Sequence, residues 1–328
     1  MRRIALLGLS LLAIAQPSAA LAWGGRGHAV IDQAALAKLP ADGPVFLQNY
    51  AEFIAEEAGA PDTWRGSSEP FSKIDEDANH TWFVERLRFL GSVPRSRYAF
   101  VLAVYREHER LRKIGPKAAE RMNVRWTGTL PYAVMEGYGR IVSGMRSLRS
   151  KQSKGEPTGN VEQTIAFYTA WMSHYIADGA NPHHSSVHCE GWVGDNPKGY
   201  AQSGAIHGKF EIGYADAINL QASDIVGRIG APQRQQGDVF GSVLQFLNDS
   251  NAEVETIFDL DKRGIFADPA SREGRDFVYR RSAAGAAMLR DLLYRAWKES
   301  AKPGVGEPSP QDPAGRRYDP ETGSAPAP

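Results

Sequence analysis

Apolar residues recur at intervals of three and four along most of the chain, with polar residues between them. This spacing places apolar side chains on one face of a helix, and it predicts amphipathic α-helices. Runs of period two that are rich in Val, Ile and Thr are scarce, which argues against a sheet-based fold. The predicted helices cover residues 29–39, 45–58, 98–113, 133–150, 161–178, 208–222, 239–258 and 275–300. The pattern therefore predicts an all-α protein with a single multi-helix domain.

Two stretches between these helices, residues 67–79 and 181–201, are predicted to be longer connections, and both carry polar residues that could bind a metal ion. The end of the chain is rich in Pro, Gly and charge from residue 312 onward, a composition typical of disorder. We therefore expect the main domain to end near residue 300 and residues 301–328 to form a disordered tail.

The first 22 residues have the composition of a secretory signal. Arg2 and Arg3 precede a mostly apolar run over residues 4–15, and Ala20-Leu21-Ala22 matches the small-residue cleavage pattern. The apolar run is too short to span a bilayer unaided. The sequence thus predicts a signal peptide over residues 1–22, a mature domain over residues 23–300, and a secreted or periplasmic protein.

The balance of charge and the cysteine content exclude some classes of protein. The chain has 38 Lys and Arg residues against 38 Asp and Glu residues, so it lacks the basic excess expected of a duplex-DNA-binding domain. Cys189 is its one cysteine, which excludes an internal disulfide framework despite the predicted export. Stabilisation must then come from the apolar core or from metal ions.

Histidine and acidic residues recur at a spacing that suits metal binding. His174 and Asp178 are four residues apart near the end of a predicted helix and share one face, and an Asn-Pro pair then lets His184 approach from a loop. His207 and Glu211 repeat the four-residue spacing on the next predicted helix. Imidazole nitrogens and carboxylate oxygens bind zinc at roughly 2.0–2.2 Å, and a one-turn offset suits a shared ion. Two such pairs with a histidine between them favour a metal site over surface hydrogen bonds.

Further candidate ligands lie upstream. Asp62 follows Pro61, and His80 follows an acidic stretch. Trp23 comes directly after the predicted cleavage site, so its neutral α-amine and its carbonyl could bind one ion together. His28 is close enough in sequence to supply a third ligand.

The order of these residues resembles that of a known superfamily, the trinuclear zinc phosphoesterases. It comprises bacterial zinc-dependent phospholipases C and the single-strand-specific zinc nucleases of fungi, plants and bacteria. The shared order is an N-terminal Trp, His, Asp, His, H-x3-D-x5-H and H-x3-[ED], and the resemblance covers residues 23 to about 214.

The resemblance implies an all-α fold with three zinc ions. Ligands of the first ion would be Asp62, His80, His174 and Asp178. Ligands of the second would be His184, His207 and Glu211. Ligands of the third would be the amine and carbonyl of Trp23, His28 and Asp178, with Asp178 bridging the first and third ions. The eighteen-residue step from Asp62 to His80 is longer than the family usually has, and Asp75 or Asp77 could replace Asp62.

The resemblance also implies hydrolysis of phosphodiesters. Clustered zinc ions neutralise the non-bridging phosphate oxygens and lower the pKa of a bound water from 15.7 towards about 7. In the family mechanism Asp62 would orient the attacking water or accept its proton. Arg65 matches an arginine that clamps phosphate in the nuclease branch, which makes Asp62 and Arg65 the expected catalytic residues.

The run from His207 to Glu211, ending in Glu rather than Asp, resembles the phospholipases. Arg26 stands where their choline pocket needs an acidic residue. The expected function is a phospholipase C-like hydrolase that acts as a monomer and contacts a membrane surface transiently.

Other features resemble the nucleases: the compact spacing of Trp23 and His28, the Pro61-Asp62-x-x-Arg65 motif, and the long gap before His207. Thr81 replaces the aromatic residue that would stack on a base. A nuclease that cleaves single-stranded nucleic acid is therefore the first alternative. A secreted zinc-binding protein without catalysis is the second.

Overall fold

A computed structural model of the chain describes residues 24–66, 68–233, 237–302 and 321–323. Within these ranges the protein is helical and has no strand, apart from one isolated bridge between Trp82 and Gly128. The prediction of a single all-α domain is thereby confirmed. Among the described helices, none combines the length and the apolar character needed to cross a bilayer.

Most helices follow one another with short connections, but a longer one covers residues 186–204, as the sequence indicated. The α-helices are α1 (Gly24–Ala37), α2 (Ala51–Glu57), α3 (Ala60–Thr63), α4 (Pro70–Asn79), α5 (Arg97–Arg112), α6 (Pro116–Ala119), α7 (Val124–Thr127), α8 (Leu130–Lys154), α9 (Gly159–Ala180), α10 (Ala205–Gly208), α11 (Ala215–Ala217), α12 (Ala222–Val226), α13 (Val239–Asn251), α14 (Val254–Lys262) and α15 (Arg272–Ser300). Short 3-10 turns cover Val45–Tyr50, Val84–Leu87, Pro182–Ser185 and Ile265–Ala267, and a π-helical segment covers Lys209–Tyr214.

Helix α9 lies at the centre of the domain. It packs on α8 and α15, and α15 also packs on α1 and α8. Gly137 on α8 allows close contact, because a Cβ there would lie 2.7 Å from Cβ of Met172 on α9. All residues of α9 from Thr169 to its end are buried, as expected for a helix surrounded by others. Polar residues in its last turns are thus held in the interior.

The end of α9 is fixed by the residues that follow it. Asn181 has an extended conformation, and its side-chain oxygen accepts a hydrogen bond from the backbone N–H of His183 at 3.1 Å. Pro182 lacks a backbone N–H and cannot continue the helix. The chain therefore turns sharply into Pro182–Ser185, which places His184 beside the last turn of α9.

Four details of the predicted element pattern are wrong. The helix expected over residues 45–58 begins as the 3-10 turn Val45–Tyr50, and α2 follows it. Most of the expected connection over residues 67–79 is helix α4. Its buried face includes the polar residues Glu76 and Asn79, so apolar residues do not recur at helical spacing in this segment and the helix was not predicted. The helix expected over residues 208–222 is interrupted by the π-helical segment. The helix expected over residues 239–258 is divided into α13 and α14.

Several expectations concern residues that lie outside the described ranges. The predicted signal peptide, Trp23 and most of the tail belong to this group. Of the tail, residues 321–323 are described, and Glu321 forms an ion pair with Arg106 of α5.

Candidate metal centre

Four buried side chains from three parts of the chain converge beside the last turns of α9. Nδ1 of His80 lies 2.9 Å from Oδ2 of Asp178 and 3.0 Å from Nε2 of His174. Nε2 of His174 lies 3.5 Å from the same Asp178 oxygen. Oδ1 of Asp62 lies 3.8 Å from the His80 nitrogen and 3.9 Å from the His174 nitrogen. Ligands of a tetrahedral zinc ion are about 3.3 Å apart, given metal–ligand distances near 2.0–2.1 Å, so the atoms of His80, His174 and Asp178 could surround one ion. Asp62 lies close enough to His174 and His28 to form another such group with them.

A second group lies where the turn after α9 meets the start of the π-helical segment. Nε2 of His207 is 3.1 Å from Nε2 of His184 and 2.9 Å from Oε2 of Glu211. Nε2 of His184 is 3.4 Å from that carboxylate oxygen, and Asn181 donates a hydrogen bond to it at 2.8 Å. Three protein ligands at this spacing leave a fourth position for water or substrate, as in catalytic zinc sites.

His28 of α1 also lies beside Asp178, near the other oxygen of its carboxylate. Its Nε2 is 3.7 Å from Oδ1 of Asp178, whereas Oδ2 of the same carboxylate faces the first group. The imidazole of His28 stacks on that of His174, with ring centres 4.3 Å apart. The two oxygens of Asp178 therefore face two different positions, which is the arrangement expected of a bridging carboxylate. Trp23, the other expected ligand here, lies outside the described residues.

Backbone carbonyls fix the orientation of two of the histidines. Nδ1 of His174 donates to the carbonyl oxygen of Ala58 at 2.7 Å, and Nδ1 of His184 donates to that of His80 at 2.6 Å. A proton held on Nδ1 leaves the lone pair of Nε2 for a cation, and such contacts are usual behind metal-bound histidines. Both side chains are thus held in the form that binds a metal ion.

Glu76 lies next to His80 in the fold, and it is absent from the residues that the sequence indicated. His80 directs Nδ1 into the cluster, and its Nε2 lies 3.7 Å from Oε2 of Glu76. Tyr175 donates a hydrogen bond to that oxygen at 2.7 Å. The four-residue spacing of Glu76 and His80 could have indicated this contact if residues 70–79 had been recognised as helical.

Burial controls the charge of the cluster. It lowers the pKa values of His80 and His174 well below the usual range, and nearby positive groups lower them further, so both rings are neutral and able to bind a cation at neutral pH. Burial, followed by the Asp62 and Glu211 carboxylates, raises the pKa of Asp178 well above its usual range.

Two oxygens of these acids, Oδ1 of Asp178 and Oε1 of Glu211, are buried and accept no hydrogen bond from the described residues. Buried carboxylates that repel one another and lack donors are stabilised by a cation, since buried charges are normally paired or coordinate metals. The donor set of imidazole and carboxylate groups therefore fits bound metal ions, and these clusters could hold them.

The three upstream carboxylates differ in what they contact. Asp77 is paired with Lys73 at 3.0 Å and with Arg125, and Asp75 is exposed. Asp62 is the acid that approaches His80 and His174. Arg65 lies next to it, with Nη1 3.4 Å from Oδ1 of Asp62, and its side chain is 28% exposed. The guanidinium group therefore lies between solvent and the cluster.

A Glu76→Gln variant should lower the affinity of the first site for a metal ion by about tenfold, the lower end of the effect of groups behind metal-bound histidines, because it removes a negative charge 3.7 Å from the His80 ring. The ligand atom Nδ1 of His80 itself remains in place. Competition with a chromophoric chelator measures the change. Asp75→Asn on the same helix is the control, because that carboxylate is exposed and should bind zinc as the wild type does. Equal affinities in the two variants would contradict the role of Glu76.

Neither a family model nor a curated protein matches this chain.

Proposed function

We propose that the protein is an exported, monomeric zinc-dependent phosphodiesterase. The observation that supports this most strongly is the convergence of eight predicted ligands, from α1 to the π-helical segment, on one buried centre. Their donor atoms lie 2.9–3.9 Å from their neighbours in the groups. Asp178 faces two of the groups, which supports a set of three zinc ions in which Trp23 completes the third site.

The described residues have distinct roles in this proposal. Bound zinc would supply Lewis acidity towards the phosphate oxygens and a lowered pKa for water. Asp178 fixes the separation of two sites, and the three-ligand group of His184, His207 and Glu211 leaves room for substrate. Asp62, at the edge of the first group, orients the attacking water and accepts its proton. Arg65 presents N–H donors that suit a phosphate and can bind it in a bidentate manner.

A phospholipid is the substrate class that we favour, on the basis of the His207-Gly-Lys-Phe-Glu211 run. Single-stranded nucleic acid is the second candidate, because Arg65 lies beside Asp62, where a nuclease would hold its phosphate. Zinc-loaded protein should be assayed in parallel on phosphatidylcholine vesicles and on single-stranded DNA. Turnover of the vesicles supports the first candidate and turnover of the DNA the second. A zinc-loaded protein that cleaves neither these substrates nor a simple activated diester would instead be a binding protein.

Arg65→Ala should lower kcat/KM for an activated diester, such as bis(4-nitrophenyl) phosphate, by about 10- to 150-fold. This range corresponds to the roughly 1.5–3 kcal/mol that a hydrogen bond to a charged group contributes. Arg125→Ala is a matched control. Both arginines pair with Asp77, but Arg65 also contacts Asp62 at the edge of the cluster. Equal losses in the two variants would show that the effect comes from Asp77 rather than from substrate binding.

A further inference from the structure

The ring of His207 has potential ligands on both sides. Its Nε2 belongs to the group with His184 and Glu211. On the other side, its Nδ1 lies 3.4 Å from Sγ of Cys189 and 3.6 Å from Oε1 of Glu190. Sγ of Cys189 lies 3.9 Å from the same Glu190 oxygen. A thiol, a carboxylate and an imidazole nitrogen are therefore mutual neighbours at a position distinct from the centre described above.

These separations suit one cation. A tetrahedral zinc ion with a sulfur ligand at about 2.3 Å and a nitrogen or oxygen ligand near 2.0–2.1 Å has those two atoms about 3.5 Å apart. The thiolate is a soft ligand, which favours zinc and other thiophilic metals over magnesium or calcium. The trio thus has both the spacing and the chemistry of a metal site.

The loop that carries Cys189 and Glu190 is held rigidly. Gly191 has φ +104° and packs on the backbone of Gln202, where a Cβ would come within 2.5 Å of the carbonyl carbon. The carboxylate of Glu190 occupies the space left by Gly204, since a Cβ at that position would lie 2.3 Å from Oε2 of Glu190. Two glycines thereby place the carboxylate beside His207.

The contact behind His207 also differs from those behind the other ligands. His174 and His184 donate their second ring N–H to backbone carbonyls, which are strong acceptors. His207 instead faces two side chains, the thiol of Cys189 and the carboxylate of Glu190. Cys189 is buried, but the side chain of Glu190 is 65% exposed. A cation can therefore reach the trio from solvent.

We propose that Sγ of Cys189, Oε1 of Glu190 and Nδ1 of His207 form an additional site for a thiophilic divalent cation, such as cadmium or excess zinc. Binding forms one bond from the metal to each of the three atoms. The thiol and the Nδ1–H group each lose a proton to solvent, so two protons are released for each cation. Because the imidazole then bridges two positive ions, occupation of this outer site weakens metal binding at the group of His184, His207 and Glu211.

The presence of a single cysteine allows a direct test. Zinc-loaded full-length protein is titrated with cadmium, and the ultraviolet thiolate-to-cadmium charge-transfer band is recorded. We expect the band to saturate at one cadmium per chain and to be absent in Cys189→Ser. Before the titration, the zinc content and the circular dichroism spectrum of this variant are compared with those of the wild type. Equal values show that the fold and the centre described above are intact.

Two further variants leave the thiol in place. Glu190→Gln and Gly204→Ala, which displaces the Glu190 carboxylate, should each raise the cadmium dissociation constant by about tenfold, comparable with the loss of a supporting group at other metal sites. Asp195→Asn is the control, an exposed carboxylate of the same loop, and should leave the constant unchanged. The proposal would be overturned if no charge-transfer band appeared at saturating cadmium. It would also be overturned if Glu190→Gln and Gly204→Ala had the same cadmium dissociation constant as the wild type. The outcome is independent of phosphodiesterase activity.

Discussion

Asp178→Asn should remove two metal ions from the protein at once. The two oxygens of this carboxylate face different groups, Oδ2 towards His80 and Oδ1 towards His28, and an amide cannot supply two anionic oxygens. The group of His184, His207 and Glu211 should keep its ion. Phosphodiesterase activity should fall by about a hundredfold or more, since metal ions contribute several kcal/mol to stabilising the transition state.

Elemental analysis of the purified variant measures the loss. Asp32→Asn is the control, because Asp32 is also a buried carboxyl group but belongs to none of the metal-binding groups. Burial raises the pKa of Asp32 well above its usual range, which favours the uncharged form that an amide resembles. Loss of one ion alone in Asp178→Asn would show that the carboxylate does not bridge.

Removal of the metal ions should destabilise the fold strongly. A ligand that binds the native state alone stabilises it by about 4 kcal/mol when present at a thousand times its dissociation constant. For a domain of this size each kcal/mol shifts the melting temperature by about 2–4 °C, so a chelator should lower the Tm by about 10 °C for each ion removed. Repulsion between the buried acids Asp62, Asp178 and Glu211 is the physical cause.

Calorimetry with and without chelator tests this expectation. Zinc should restore the Tm, whereas magnesium, which prefers oxygen ligands and octahedral geometry, should not. Asp178→Asn provides an internal comparison, because it has fewer ions to lose and should respond less to the chelator. A Tm unaffected by chelation would mean that the clusters are stable without cations.

Much of the fold and of the ligand set could be predicted from the sequence because both depend on local spacing. His174 and Asp178 share a face in any helix that includes both. The Asn-Pro pair that follows ends that helix whatever surrounds it. His207 and Glu211 are likewise four residues apart, and they remain adjacent although the segment between them becomes π-helical.

The contacts that the sequence did not indicate depend on tertiary packing. The role of Glu76 requires α4, whose buried face is polar and therefore gives no apolar period. The contact of Tyr175 with Glu76 joins residues almost a hundred positions apart. Cys189 lies beside His207 because the loop that carries it packs on the backbone of Gln202. The spacing of residues in the sequence does not indicate this contact. Packing also separates Asp62, which lies near His80 and His174, from Asp77, which pairs with Lys73 and Arg125.

The wide distribution of the ligands along the chain has a consequence for biogenesis. The described ligands extend from His28 to Glu211, and α15, which holds α1 and α9 together, begins at Arg272. A nascent chain cannot assemble the centre until most of its length has left the ribosome. Any metal ion that this centre holds must therefore bind late, to a chain that is largely synthesised, and the compartment in which the chain completes folding determines which metal is available to it.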